Sequence, residues 1–209
     1  MQTTAEHDDT VIEEDVLRAG FYALLSALLA SPPSDETLKY LSTLQSDDTD
    51  VGKAFGELAT AASATSADAV EDEYNALMIG ITQGELIPFA SHYLTGFLCE
   101  QPLANLRGDM ALMGIARGDD VSEPEDHIAS IMEMMNGLIL GNFDVTADLA
   151  AQKKFFDAHL APWANKFFED LQTAEAAVFY RPVGSVGRAF LAIEKDAFDM
   201  DGMNENDIF

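Results

Sequence analysis

Cysteine is almost missing from this chain of 209 residues: Cys99 is the single one. That excludes an intramolecular disulfide framework, a four-cysteine zinc site and a cysteine-ligated iron–sulfur cluster, and it suits a reducing compartment. Positive charge is scarce as well, with 11 Lys and Arg against 37 Asp and Glu, a formal net charge of −26. A surface this acidic repels phosphate backbones, and so few scattered cations cannot build a basic stripe, which argues against nucleic acid as a partner. Long apolar runs are lacking too. The longest, Phe21 to Ala30, is interrupted by Ser26 and is about half of the roughly 20 residues a membrane-spanning helix needs. The N-terminus is acidic where a secretory signal needs positive charge followed by an apolar segment. These absences point to a cytoplasmic chain with no stable membrane insertion, and the length fits one domain or at most two.

Helical periodicity is what the sequence does have. Strict apolar/polar alternation bounded by turn dipeptides is essentially missing, so the expected fold class is all-α. Leu17, Phe21, Leu24, Leu25, Leu28 and Leu29 share one face of a helix that Pro32 and Pro33 end. Ser34 caps a short helix through Leu44, and the small and polar stretch from Gln45 to Ser66 predicts a weak helix between loops. Ser66 or Asp68 opens the next helix, through Tyr74, Leu77 and Met78 to Gly80; Gly80 to Pro88 reads as an ordered loop. A helix is expected from Pro102 to Arg117. Ser122-Glu123-Pro124-Glu125 has the form of a capping box opening a helix whose buried stripe runs Ile128, Ile131, Met132, Met135, Leu138 and Ile139. Further helices are expected over Thr146 to His159, Pro162 to Leu171 and Thr173 to about Ile193. The organisation expected is an acidic flexible N-terminus at 1–14, a helical body at 15–195 and an acidic flexible tail at 196–209. Residues 1–15 and 196–209 hold 11 of the 37 carboxylates, which solvate the chain rather than serve a site.

Conventional catalysis finds little to stand on. The residues three before His7, His92, His127 and His159 are Thr4, Phe89, Pro124 and Phe156, so the Glu-x-x-His pairs of a di-iron bundle are absent. Zinc-protease, EF-hand, phosphate-loop and nucleophile-elbow motifs are missing as well, and Gly184-Ser-Val-Gly187 lacks the strand context of a dinucleotide fingerprint. No catalytic residue, metal ligand or cofactor is assigned. Two regions remain. In Glu123-Pro124-Glu125-Asp126-His127, the acids Glu123 and Glu125 are accounted for by the positive end of a helix dipole, whereas Asp126 beside a partly covered His127 either closes a local hydrogen bond or awaits a ligand. Around the 80–93 loop, Tyr74, Leu77, Met78, Pro88, Phe89, Ser91 and Tyr93 bring aromatic and methionine side chains to a glycine-rich turn, suited either to core packing or to an apolar peptide. Phe155, Phe156, Leu160, Trp163, Phe167 and Phe168 have the spacing of two helices packed through the Pro162 corner.

At Glu-Pro-x-Asp-His the sequence resembles the TorD/DmsD family of redox-enzyme maturation chaperones. The other segments follow in the family's order over roughly residues 15 to 195. They are Tyr74-x-x-Leu77-Met78, Pro88-x-x-Ser91-x-Tyr93, Leu106-Arg107, His159-Leu-x-Pro-Trp163 with Phe167, and Phe179-Tyr180. The resemblance implies an all-α, TorD-like bundle of about ten helices. It implies a non-enzymatic cytoplasmic chaperone that binds the twin-arginine leader, and often the body, of a molybdopterin-containing oxidoreductase precursor until cofactor is inserted. It further implies a leader-binding surface on Asp126, His127, Tyr74, Leu77, Met78, Pro88, Phe89 and Ser91. Ser122, Glu123, Pro124, Glu125 and Trp163 complete the motifs. Tyr at 74, Met at 78 and Phe at 89 depart from the family's aromatic pattern. Other readings stay open at this point: a nucleotide-binding or weakly hydrolytic protein, an acidic interaction module without such a client, and a homodimer swapped across the 80–88 or 141–146 loop.

Overall fold

The computed structural model describes residues 3–80, 83–118, 123–143 and 148–206. Ten α-helices follow one another: α1 Thr3–Ala30, α2 Asp35–Leu41, α3 Asp50–Ser63, α4 Ala67–Tyr74, α5 Ala90–Thr95, α6 Gln101–Met113, α7 Ile128–Leu140, α8 Leu149–His159, α9 Ala164–Thr173 and α10 Tyr180–Asn206. One π-helical turn, Asn75–Ile79, continues α4. Among the described residues there is no strand, only an isolated antiparallel bridge between Phe89 and His127. The all-α expectation holds.

The helix stops and starts have local causes. Ser34, Thr49, Ser66 and Asp148 each accept a backbone N–H in the first turn of the helix they precede. Gly96, Gly114 and Gly141 end α5, α6 and α7 in the left-handed conformation. Several boundaries differ from the sequence reading. The helix carrying Leu17 to Leu29 begins at Thr3, and the last helix continues past Ile193 to Asn206, so much of both acidic ends is helical. The 45–66 stretch holds the fourteen-residue α3, and α6 stops at Gly114 rather than Arg117.

Packing centres on α1 and α7, which lie along each other, while α10 packs on α9 and α3 and touches α1. One continuous core takes in Tyr22, Leu25 and Leu29 of α1, Ile128, Ile131, Met132 and Met135 of α7, and Phe190 and Phe198 of α10. Each such side chain contributes roughly 1.5–3 kcal/mol on burial. The expected aromatic corner is present: Phe155, Phe156, Leu160, Trp163, Phe167 and Phe168 are all buried, and the Trp163 indole donates to the His159 carbonyl at 2.7 Å. The glycines of Gly184-Ser-Val-Gly187 have a packing role. A Cβ at Gly184 would lie 2.8 Å from the Phe168 carbonyl oxygen and one at Gly187 would lie 2.3 Å from the Phe168 ring, so both let α10 close on α9.

A buried ion pair ties the ends of the chain together. Arg18 of α1 donates to both oxygens of Glu194 on α10, at 2.7 and 3.0 Å, and also to Gln152 of α8; the Tyr22 hydroxyl donates to Glu194 at 3.0 Å.

Candidate functional site

The segment 123–127 does not form the first turn of α7. Pro124 to His127 form a turn, with the His127 N–H donating to the Pro124 carbonyl at 3.2 Å, and the turn is bridged to the loop before α5. Ala90 N–H donates to the Asp126 carbonyl at 2.9 Å and Ile128 N–H to the Pro88 carbonyl at 2.8 Å, closing the Phe89–His127 bridge. The helix therefore starts at Ile128, and His127 is its N-cap: Nδ1 accepts the Ala129 N–H at 3.2 Å. This corrects the capping-box reading, whose first member, Ser122, lies outside the described residues. Glu125 turns to Arg107 of α6, which donates to its Oε2 at 3.0 and 2.7 Å, and Arg117 lies 3.8 Å from its Oε1. Two guanidiniums outcompete a helix dipole for a carboxylate. Burial pushes the Glu125 carboxyl up, but these bonds prevail and hold it below its ordinary value.

At the end of this turn Asp126 and His127 line different grooves, which separates the two residues the sequence pairs. Asp126 is 1% exposed and forms part of a groove of about 660 Å³ between α5, α6, α7 and α8, with Leu94, Asn105, Asp109, Leu112 and His159. Its Oδ2 accepts the Ser91 N–H at 2.8 Å, while its buried Oδ1 has no hydrogen-bond partner. His127 lines a second groove, of about 500 Å³, with Met110, Ile115, Met134, Phe143 and the acids Glu123 and Glu133. Burial pushes His127 below its ordinary pKa against the pull of Glu123 and Asp126. The ring is thus neutral near pH 7, and because Nδ1 is an acceptor, its proton sits on Nε2, which faces Glu123 Oε2 at 3.8 Å.

The remaining expected residues divide by burial. Tyr74 is buried against Tyr180, and its hydroxyl donates to the Leu29 and Ala30 carbonyls at 3.2 and 3.1 Å. Burial and the charge of Glu123 push its pKa up to about 12. Leu77, Pro88 and Ser91 are buried; Met78 and Phe89 are half-buried, and Phe89 packs edge-on against His127 with ring centroids 5.0 Å apart. Trp163 lies in the core, tilted against Tyr93. Sequence reasoning missed the pair of Asp109 with His159, whose Nε2 lies 2.8 Å from Asp109 Oδ2. The signal available was the recurrence of Asn105, Asp109 and Leu112 on one face of α6. Among the described residues no cluster of His, Cys, Asp and Glu could hold a metal ion, and no helix is long and apolar enough to cross a membrane.

The chain matches the family described as nitrate reductase delta subunit over residues 44–169. Relatives include the Chaperone protein TorD of Vibrio atlanticus, 28% identical over 116 residues, which are 52% of this chain and 54% of that protein. The TorD of Aliivibrio fischeri is 28% identical over 124 residues, 56% and 58% of the two chains. The chain thus spans somewhat more than half the length of the curated relatives it matches. A crystal structure described as a redox enzyme maturation protein of Archaeoglobus fulgidus superposes with a TM-score of 0.56 at 19% identity, over 84% of this chain and 93% of that one, which shows a shared fold.

Proposed function

The chain belongs to the nitrate reductase delta subunit family, and on that premise we propose that it is a redox-enzyme maturation chaperone that binds the twin-arginine leader of a molybdopterin oxidoreductase precursor in the cytoplasm. Holding the leader would delay export while cofactor enters the client. The observation that carries this reading is the 123–127 segment itself: pinned by its bridge to Phe89, it sets a neutral imidazole and the exposed Glu123 carboxylate beside a groove walled by Met110, Met134, Ile115 and Phe143, with Glu133 of α7 on the same groove. A twin-arginine leader is two guanidiniums followed by an apolar run, and its complement is a carboxylate rim on an adaptable apolar groove.

In this reading His127 offers its Nε2–H to a leader carbonyl, Glu123 and Glu133 supply charge, and Met78 and Phe89 extend the apolar surface. Asp126 is the buried acid of the same segment. Tyr74, Leu77, Pro88 and Ser91 act from beneath, holding the loop against which 126–128 is bridged. The large negative charge speeds encounter with a basic leader, an effect that added salt weakens.

The test is calorimetric titration of the protein with a synthetic peptide carrying two adjacent arginines ahead of a leucine- and alanine-rich run. Saturable one-to-one binding, weakened about tenfold or more by His127→Gln with Glu133→Gln, is the expected result. Equal affinity of wild type and variant, or no binding, contradicts the reading.

A further inference from the structure

Six of the 11 Lys and Arg side chains are engaged in ion pairs among the described residues. Of the others, Arg181, Arg188 and Lys195 lie on α10 at seven-residue intervals, and all three are exposed. That spacing puts them on one face of the helix, a basic ridge about 21 Å long on a chain of net charge −26. The ridge borders a furrow. Ser185, Arg188, Ala189 and Ala192 line a hollow of about 450 Å³ between α3, α9 and α10. Ala192 and Asn165 are shared with a second hollow, of about 270 Å³, which continues to Lys195 and Phe156. Gln172 of α9 accepts from the Arg188 guanidinium at 3.0 Å and donates to the Ser185 hydroxyl at 2.9 Å, so Arg188 is held in place without being neutralised. The acids lining the furrow, Asp50 and Glu57, both belong to α3, and Asp50 lies 3.8 Å from Lys53; no acid lines the hollow that holds Lys195.

We propose that this furrow docks an amphipathic helix with an acidic edge, contributed by the body of the client outside its leader. The proposal rests on the chaperone reading and adds a second contact to it, on a different face from the leader. Charge complementarity carries it. The ridge repels a leader with two guanidiniums, and a second copy of this chain offers an equally acidic surface. A helix with carboxylates seven residues apart can set them against Arg188 and Lys195 while its small or apolar face lies on Ala189 and Ala192. At physiological salt the screening length is about 8 Å, so these nearby cations rather than the net charge of the chain decide the contact. Asp50 and Glu57 on the α3 wall turn the acidic edge of the incoming helix toward α9 and α10, which fixes its orientation.

The probe is the molybdopterin oxidoreductase precursor encoded in the same genome, purified without its leader and titrated against the full chain. Wild type is expected to bind it saturably, more weakly than the intact precursor. Arg188→Glu and Lys195→Glu are each expected to weaken this binding about tenfold or more. Ala192→Trp, which fills the furrow at a residue both hollows share and leaves the charge alone, is expected to do the same. Lys39→Glu, an equal change of charge on α2, is expected to stay within about twofold of wild type, because a charge off the furrow is screened. All four variants are expected to keep the helical signal and the wild-type affinity for the twin-arginine peptide. Equal binding of the leaderless precursor by wild type and the ridge variants, or none by wild type, overturns the furrow; the leader reading stands if the twin-arginine peptide still binds. Dimerisation in sedimentation velocity, or binding of a single-stranded oligonucleotide, that is lost in Arg188→Glu and Lys195→Glu gives the furrow another occupant and also overturns the proposal. Failure of the twin-arginine peptide alone overturns the leader reading and not the furrow.

Discussion

Replacing Asp126 by alanine should destabilise the protein as well as affect its binding, and the two effects can be separated. The Asp126 carboxylate is buried, and its Oδ2 is the acceptor for the Ser91 N–H at 2.8 Å, at the start of α5. Alanine removes that acceptor and leaves a buried backbone donor unpaired, at a cost of about 1–3 kcal/mol. The methyl group also leaves a small void beside the orphaned amide. The two neighbouring bonds, Ala90 N–H to the Asp126 carbonyl and Ile128 N–H to the Pro88 carbonyl, involve backbone only and survive. For a chain of this size each kcal/mol lowers the melting temperature by about 2–4 °C, so Asp126→Ala should melt about 2–12 °C below wild type. Asp126→Asn keeps an oxygen for Ser91, removes the charge and should recover most of the loss. The assay is thermal unfolding followed by circular dichroism at 222 nm, with peptide titration alongside. An unchanged melting temperature in Asp126→Ala would refute the reasoning, since the buried Ser91 donor would then have needed no partner. Loss of peptide affinity in Asp126→Asn without loss of stability separates recognition from support.

Three further outcomes are expected. The lowered pKa of His127 means the unfolded chain takes up its proton first as pH falls; its contribution to stability is complete above the ordinary histidine pKa of about 6.5 and declines as pH falls through it toward the folded value. Melting temperatures measured between about pH 8 and pH 5, the range over which histidines titrate, should therefore fall less for His127→Asn, which keeps an N-cap acceptor, than for wild type; parallel curves would disprove it. Arg18→Ala strands the buried Glu194 carboxylate and should cost about 3–5 kcal/mol by urea denaturation, whereas a cost below about 1 kcal/mol would mean the pair is not desolvated. Tyr74→Phe loses the bonds to the Leu29 and Ala30 carbonyls and should cost about 1 kcal/mol while leaving peptide affinity unchanged; a large loss of affinity would place Tyr74 in direct contact with the leader.

The fold was largely legible because its signals are local. The stripe from Ile128 to Leu138, the aromatic corner at Pro162, and the caps at Ser34 and Ser66 act within a few residues of one another. The site was less so, because its geometry is set across the chain. Ser122 to Glu125 has the composition of a capping box, but α7 begins only at Ile128, behind the bridge to Phe89, and the Glu125 carboxylate is held by Arg107. Adjacency in sequence made Asp126 and His127 look like one pair; the turn from Pro124 to His127 places them in different grooves. Asp109 and His159, fifty residues apart, have no local signal that joins them. The continuation of α10 to Asn206 was hidden by its acidic composition, although Phe198 packs on Phe156 and Arg18 within it.

The central claim is that this acidic bundle holds a redox-enzyme precursor by its arginine-bearing leader through the 126–127 segment. The most direct measurement is affinity purification of the full chain co-expressed with the molybdopterin oxidoreductase precursor encoded in the same genome, once with its leader intact and once with both arginines changed to glutamine. Recovery of the intact precursor in stoichiometric amount, strongly reduced by the glutamine change, is the predicted result. Equal recovery of both precursors, or of neither, would contradict it.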